Sequence, residues 1–126
     1  MEVINIKGTD DTPNVILDKA SGHFEISGRS LPEDVNQFYE QILDWIDEYA
    51  KDPLDRTEFN FKLEYFNTAS SKVILDILLK FEEIVEKGKE VVIKWHYHED
   101  EEDMLEAGEE YSDIVEIPFE YVVYND

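Results

Sequence analysis

Glu58-Phe59-Asn60-Phe61-Lys62-Leu63-Glu64-Tyr65 alternates without a break: the odd positions are apolar and the even ones polar. Successive side chains on a strand point to opposite faces, so the pattern predicts a strand with one face in a core and one in water. A doubly wound sheet, covered on both faces, would show continuous apolar runs instead. Val91, Ile93, Trp95 and Tyr97 repeat the alternation against Glu90, Lys94, His96 and His98. Phe24 with Ile26, and Phe119, Tyr121 and Val123, do the same. One-sided strands require the long helices to share one side of the sheet, which gives a two-layer α/β fold.

Two segments carry helical periodicity. In the first, Val35, Phe38, Ile42, Trp45, Ile46 and Tyr49 form one apolar stripe, and Asp52-Pro53 ends it. Ser30 is the expected cap, with Pro32 in the first turn. The second helix is expected from about Ser70 to Lys87, with Ile74, Ile77, Leu78, Phe81, Ile84 and Val85 on one face and Gly88 as a fitting stop. Strand 58–65, this helix and strand 90–97 make a βαβ unit with parallel strands. Val15-Ile16-Leu17 and the strand from His23 to Ser27 flank Lys19-Ala20-Ser21-Gly22, which reads as a hairpin. A short acidic helix near 100–107, stopped at Gly108, leads to the last strand. With neither repeat nor linker, residues 1–126 read as one domain.

Composition narrows the function. The 126 residues carry 32 acidic and 11 basic side chains, a net charge of −21. That charge repels phosphate backbones and anionic headgroups, which argues against nucleic acid and membrane surfaces as partners. A hydrophobic fraction of 42% is too high for a disordered acidic chain. The absence of cysteine removes disulfides, thiolate catalysis and zinc fingers. The start, Met1-Glu2-Val3-Ile4-Asn5-Ile6-Lys7, lacks the features of a signal peptide, so the expected location is the cytoplasm. The charge is uneven: residues 95–126 hold 12 acidic side chains and no basic one. The dense run Glu99-Asp100-Glu101-Glu102-Asp103 reads as a solvated face or helix start, lacking the spacing of a calcium loop.

Signals of catalysis are scarce. The chain has no Gly-rich phosphate loop, no GxSxG elbow and no HExxH. His96 and His98 would point the same way on a strand, as metal ligands can, but they share the polar face with Lys94 and read as exposed histidines. The richest stretch is Asn67-Thr68-Ala69-Ser70-Ser71-Lys72, where a strand's end meets a helix start. Its hydroxyls and amide suit helix capping. That is the default reading; the alternative is phosphorylation, since a phosphate there meets free N–H groups, the positive end of the helix dipole and Lys72.

That stretch, extended to Leu63-Glu64-Tyr65-Phe66-Asn67-Thr68-Ala69-Ser70-Ser71-Lys72, resembles the signature of the SiaC family of bacterial regulatory phosphoproteins. Ile26-Ser27-Gly28-Arg29-Ser30-Leu31-Pro32-Glu33, the acidic stretch 101–109 and Ile117-Pro118-Phe119 also look like that family, so the resemblance spans essentially the whole chain. It implies a regulator without enzymatic activity or cofactor, folded like anti-sigma-factor antagonist (STAS) domains. It implies that Thr68 is phosphorylated by a dedicated kinase and dephosphorylated by a PP2C-type phosphatase. Asn67, Ser70, Ser71 and Lys72 would support that site. It further implies that the unphosphorylated form binds and activates a diguanylate cyclase, raising cyclic-di-GMP and promoting biofilm growth. The STAS phosphoacceptor segment carries Asp before its hydroxyl residue and Gly after it, whereas Asn67 and Ala69 stand here, so that wider likeness is architectural. Two other readings fit the composition: a constitutive acidic interaction module, and a small enzyme built on buried carboxylates or a metal.

Overall fold

The computed structural model describes residues 1–125. Its elements follow in the order β1 (Ile4–Ile6), β2 (Asn14–Asp18), β3 (His23–Ser30), α1 (Val35–Tyr49), β4 (Arg56–Phe66), α2 (Thr68–Glu86), β5 (Glu90–His98), α3 (Glu102–Ile114) and β6 (Phe119–Tyr124). The six strands form one mixed sheet whose spatial order is the chain order. β1, β2 and β3 are antiparallel neighbours, and β3 to β6 run parallel with a helix between each pair. The expected hairpin and βαβ unit are both present. β1 is an additional strand that its three residues hardly announce.

Ring contacts place the helices. Phe24 of β3 lies opposite Phe59 of β4, which lies opposite Ile93 of β5, so these residues and Trp95 share a sheet face. Trp45 and Tyr49 of α1 reach Phe24 with ring centroids at 5.9 and 5.2 Å. Phe81 of α2 reaches Phe59 at 5.0 Å, and Tyr111 of α3 reaches Trp95 at 5.6 Å. All three helices therefore cover the same face, as the alternation requires. The core lies between them and the sheet, where Phe24, Phe59, Phe61, Phe81 and Trp95 are essentially fully buried. Aromatic pairs at such separations add about 0.5–1.5 kcal/mol each beyond their buried area.

Three local expectations are corrected. Ser30 does not cap α1: it is the buried last residue of β3, and Asp34 accepts the Gln37 N–H at 3.1 Å instead. α2 starts two residues earlier than its apolar stripe suggests, because Asn67 supplies the cap. Gly108 does not stop the acidic helix, which continues to Ile114. This glycine answers a packing demand: a Cβ at 108 would lie 2.6 Å from the Trp95 ring. Gly88 does end α2 as expected, with a left-handed φ of 94° and its N–H donating to the Val85 carbonyl. In β6 the alternation is present but Tyr121 and Val123 are exposed, because this strand forms the sheet's edge.

Candidate functional site

The segment from 67 to 72 is tied down at Asn67, Ser70 and Ser71. Asn67 has extended backbone, and its N–H donates to the Ser30 carbonyl at 3.1 Å, stitching the end of β4 to the end of β3. Its side-chain Oδ1 accepts the Ser70 N–H at 2.8 Å, and its carbonyl accepts the Ser71 N–H at 3.0 Å. Asn67 is therefore the N-cap, and Thr68 is the first helical residue.

The hydroxyls of this segment have different fates. Ser70 is fully buried; its Oγ donates to the Ser30 carbonyl at 3.0 Å and lies 2.9 Å from Ser30 Oγ. Ser30 Oγ in turn lies 2.6 Å from the Tyr39 hydroxyl, so three buried hydroxyls link α2, β3 and α1. Burial pushes the Tyr39 phenol up to about 12, with the Ser30 hydrogen bond acting the other way. Ser71 Oγ donates to the Thr68 carbonyl at 2.6 Å, and the Tyr111 hydroxyl donates to the Ser71 carbonyl at 2.8 Å. Burial, followed by the charge of Glu110, raises the Tyr111 phenol. Thr68 and Lys72 are exposed, four residues apart and so on one side of the helix. The Thr68 hydroxyl has no hydrogen-bond partner among the described residues.

Ser30, Tyr39 and Tyr111 belong to this site although sequence patterns assign them elsewhere. Ser30 reads as a cap, and Tyr39 and Tyr111 carry no motif of their own. Only the pairing of β3 with β4 reveals that Ser30 faces the start of α2.

The acidic run comes back to this place in space. Glu101, Asp103, Met104 and Ala107 line a cleft of about 180 Å³ together with Glu64, Tyr65 and Phe66. Glu102 and Asp103 occupy the first turn of α3, where carboxylates favour the helix dipole. On the β3 side, the Arg29 guanidinium sits 5.6 Å from the centre of the exposed Tyr65 ring. The start of α2 thus stands between carboxylates on one flank and two cations, Arg29 and Lys72, near the other strand and its own first turns.

His96 and His98 are held apart by separate partners. His96 Nε2 lies 3.0 Å from Asn60 Oδ1, and partial burial, helped by Lys62, depresses its pKa. His98 Nδ1 accepts the Asp100 N–H at 3.1 Å. Both are half-buried rather than exposed. Among the described residues no group of three acidic or histidine side chains is placed to hold a metal ion. The buried polar residues among them are Ser30, Thr57 and Ser70, so the buried carboxylate pair that an enzyme reading calls for is not met there. Among the described residues no helix is long and apolar enough to cross a membrane.

Comparison with known proteins follows the same line. An uncharacterized protein of Pseudomonas aeruginosa (strain UCBPP-PA14) is 33% identical over 119 residues, 94% of each chain. The solved structure of SiaC of Pseudomonas aeruginosa superimposes with a TM-score of 0.89 at 31% identity, covering 98% of this chain and all of the other. SiaC in the crystal structure of the diguanylate cyclase SiaD in complex with its activator SiaC, also from Pseudomonas aeruginosa, gives 0.90 at 31% identity, covering 96% and 99%. The family model described as SiaC family regulatory phosphoprotein matches residues 6–124. This chain belongs to the SiaC family of regulatory phosphoproteins.

Proposed function

We propose that this chain is a partner-switching regulator whose unphosphorylated form binds and activates a diguanylate cyclase, and that phosphorylation of Thr68 releases it. The observation that carries the reading is the contrast within one turn of helix. Asn67, Ser70 and Ser71 are fixed by hydrogen bonds, while the Thr68 hydroxyl faces solvent. Membership of the family supports the regulatory role, and the crystallised complex of Pseudomonas aeruginosa SiaC with its cyclase supports the class of partner.

The physics is local. A phosphate adds about −1.5 to −2 charge at pH 7, a tenth or less of the −21 already present. Bulk charge is therefore not the switch. The unpaired first-turn N–H groups and the helix dipole stabilise the dianion in the free protein, and Lys72 offsets part of its charge. A partner that closes over the loop must strip water from that dianion. A penalty of about 3 kcal/mol lowers affinity roughly a hundredfold. In this scheme a protein kinase writes the mark, a PP2C-type phosphatase removes it, and the chain itself performs no chemistry.

Two measurements test the proposal. Intact-mass analysis of the protein from growing and resting host cells should show a phosphorylated population that maps to Thr68. Thr68→Asp should lose the cyclase that Thr68→Ala retains. Equal binding by the two variants, or a protein that never carries phosphate on 67–72, overturns the reading.

A further inference from the structure

The two edges of the sheet are finished differently. β1 has three residues, whereas β6 has six and pairs with β5 residue for residue from Phe119 to Tyr124. Natural edges are usually blunted by shortness, lysine, proline or a bulge, because free backbone donors and acceptors recruit other strands. β6 reads Phe-Glu-Tyr-Val-Val-Tyr, with one charge and none of those devices within it.

A helix touches it only in part: the Tyr121 hydroxyl donates to Ser112 Oγ of α3 at 3.1 Å. Trp95 holds α3 over β5, its Nε1 donating to the Met104 carbonyl at 2.8 Å. Beyond it, Tyr121 and Val123 of β6 remain 38% and 54% exposed, although their register partners Trp95 and Tyr97 are buried and half-buried. The stretch of sequence that ends in this strand is acidic, residues 95–126 holding 12 carboxylates and no base. Asp100 and Glu101 line a cleft with Tyr124, while Lys94 approaches Glu120 and Lys62 the Tyr124 ring. Edge-to-edge pairing of two copies sets such surfaces against each other, and the same field attracts a cationic partner.

We propose that β6 is a strand-docking edge that accepts an extended cationic segment of a partner protein, apolar and basic at alternate positions. Added as a further strand, such a segment lays its apolar residues beside Tyr121 and Val123 and its basic residues beside Glu120. Glu120 is half-exposed and meets Lys94 of β5 at 3.8 Å on its inner side, leaving its outer side to the newcomer. The edge is two strands removed from β4, at whose end Thr68 follows, so this surface is independent of the phosphorylation reading.

The probe is a synthetic peptide of about ten residues alternating Val and Lys, added to isotope-labelled full-length protein. It should move the backbone amide signals of Phe119–Tyr124. Two surface variants, Val123→Lys and Glu120→Lys, should each weaken binding by about tenfold or more, and the pair guards against misfolding of either. A peptide with N-methylated backbone amides and one with Glu in place of Lys should fail, and Thr68→Asp should bind like the parent. Equal binding of the N-methylated peptide, or shifts lying outside β6, overturns the proposal. So does a concentration-dependent dimer that Val123→Lys dissolves, which assigns the edge to a second copy.

Discussion

The hydroxyl of Tyr111 donates a 2.8 Å hydrogen bond to the carbonyl of Ser71, tying the acidic helix α3 to the first turn of α2. Forty residues apart in sequence, the two meet because Trp95 holds α3 against the sheet face that α2 also covers. The segment bearing Thr68 is therefore braced from both sides, by Ser30 of β3 and by Tyr111 of α3.

Tyr111→Phe keeps the ring contact with Trp95 and removes only the hydroxyl. Loss of one such bond costs about 1 kcal/mol of stability. Thermal unfolding should register that loss, and amide hydrogen exchange in the first turn of α2 should accelerate more than in β4.

Removing the cap and charging the first helical position act in opposite directions. Asn67→Ala forfeits the bond to the Ser70 N–H and should cost about 1 kcal/mol. Thr68→Asp places a carboxylate near the positive end of the dipole and should leave stability unchanged or raised by about 0.5 kcal/mol. Denaturant titration of both variants checks this. A stable Thr68→Asp means that any loss of partner binding is not a loss of fold.

Gly108→Ala should destabilise the protein although alanine is the better helix former by about 1 kcal/mol. The added Cβ would stand 2.6–2.8 Å from three atoms of the Trp95 ring, which is itself locked in the core. Overpacking of this kind typically costs about 1–3 kcal/mol. A lower melting temperature together with a changed tryptophan fluorescence spectrum is the expected result.

Alkaline pH should weaken the fold through Tyr39. Its folded pKa, pushed up to about 12 by burial, lies above the ordinary phenol value of 10.0. The stability it protects is complete below pH 10, falls as the unfolded chain ionises above 10, and is lost as pH passes 12. A shift of this size corresponds to roughly 2–3 kcal/mol. Tyr39→Phe should reduce the pH dependence of unfolding above pH 10, the raised Tyr111 phenol supplying the remainder, while lowering stability at neutral pH, since Ser30 loses a buried partner.

The sheet was legible where period-two alternation ran long. Residues 58–65 and 90–97 announced β4 and β5, and their one-sidedness placed the helices. In β6 the same rule locates the strand but not its exposure: the Tyr121 hydroxyl reaches Ser112 of α3, yet Tyr121 and Val123 stay open at the sheet's edge. Ser30 and Gly108 were misread for a related reason. A serine before Pro-Glu and a glycine after an acidic run are local stop and start signals, yet both residues answer to distant partners, Tyr39 and Trp95. Asn67, with three hydroxyl residues following it, was visible as a polar cluster at a strand-to-helix junction. Which hydroxyl faces solvent was not, since that depends on the pairing of β3 with β4 and on the roll of α2 against them.

The agreement between spatial and chain order has a kinetic consequence. Every strand hydrogen-bonds to the strand that precedes or follows it in sequence, so no pairing must wait for a segment from across the chain. The entropy of closing a loop grows only slowly with its length, and each parallel pairing closes over a single helix, as Phe24 with Phe59 and Ile93 with Phe119 do. The sheet can therefore grow outward from β1 as the polypeptide leaves the ribosome, each strand and helix docking on those already in place. β6, the last of these six strands to be made, joins a sheet whose other strands are already paired.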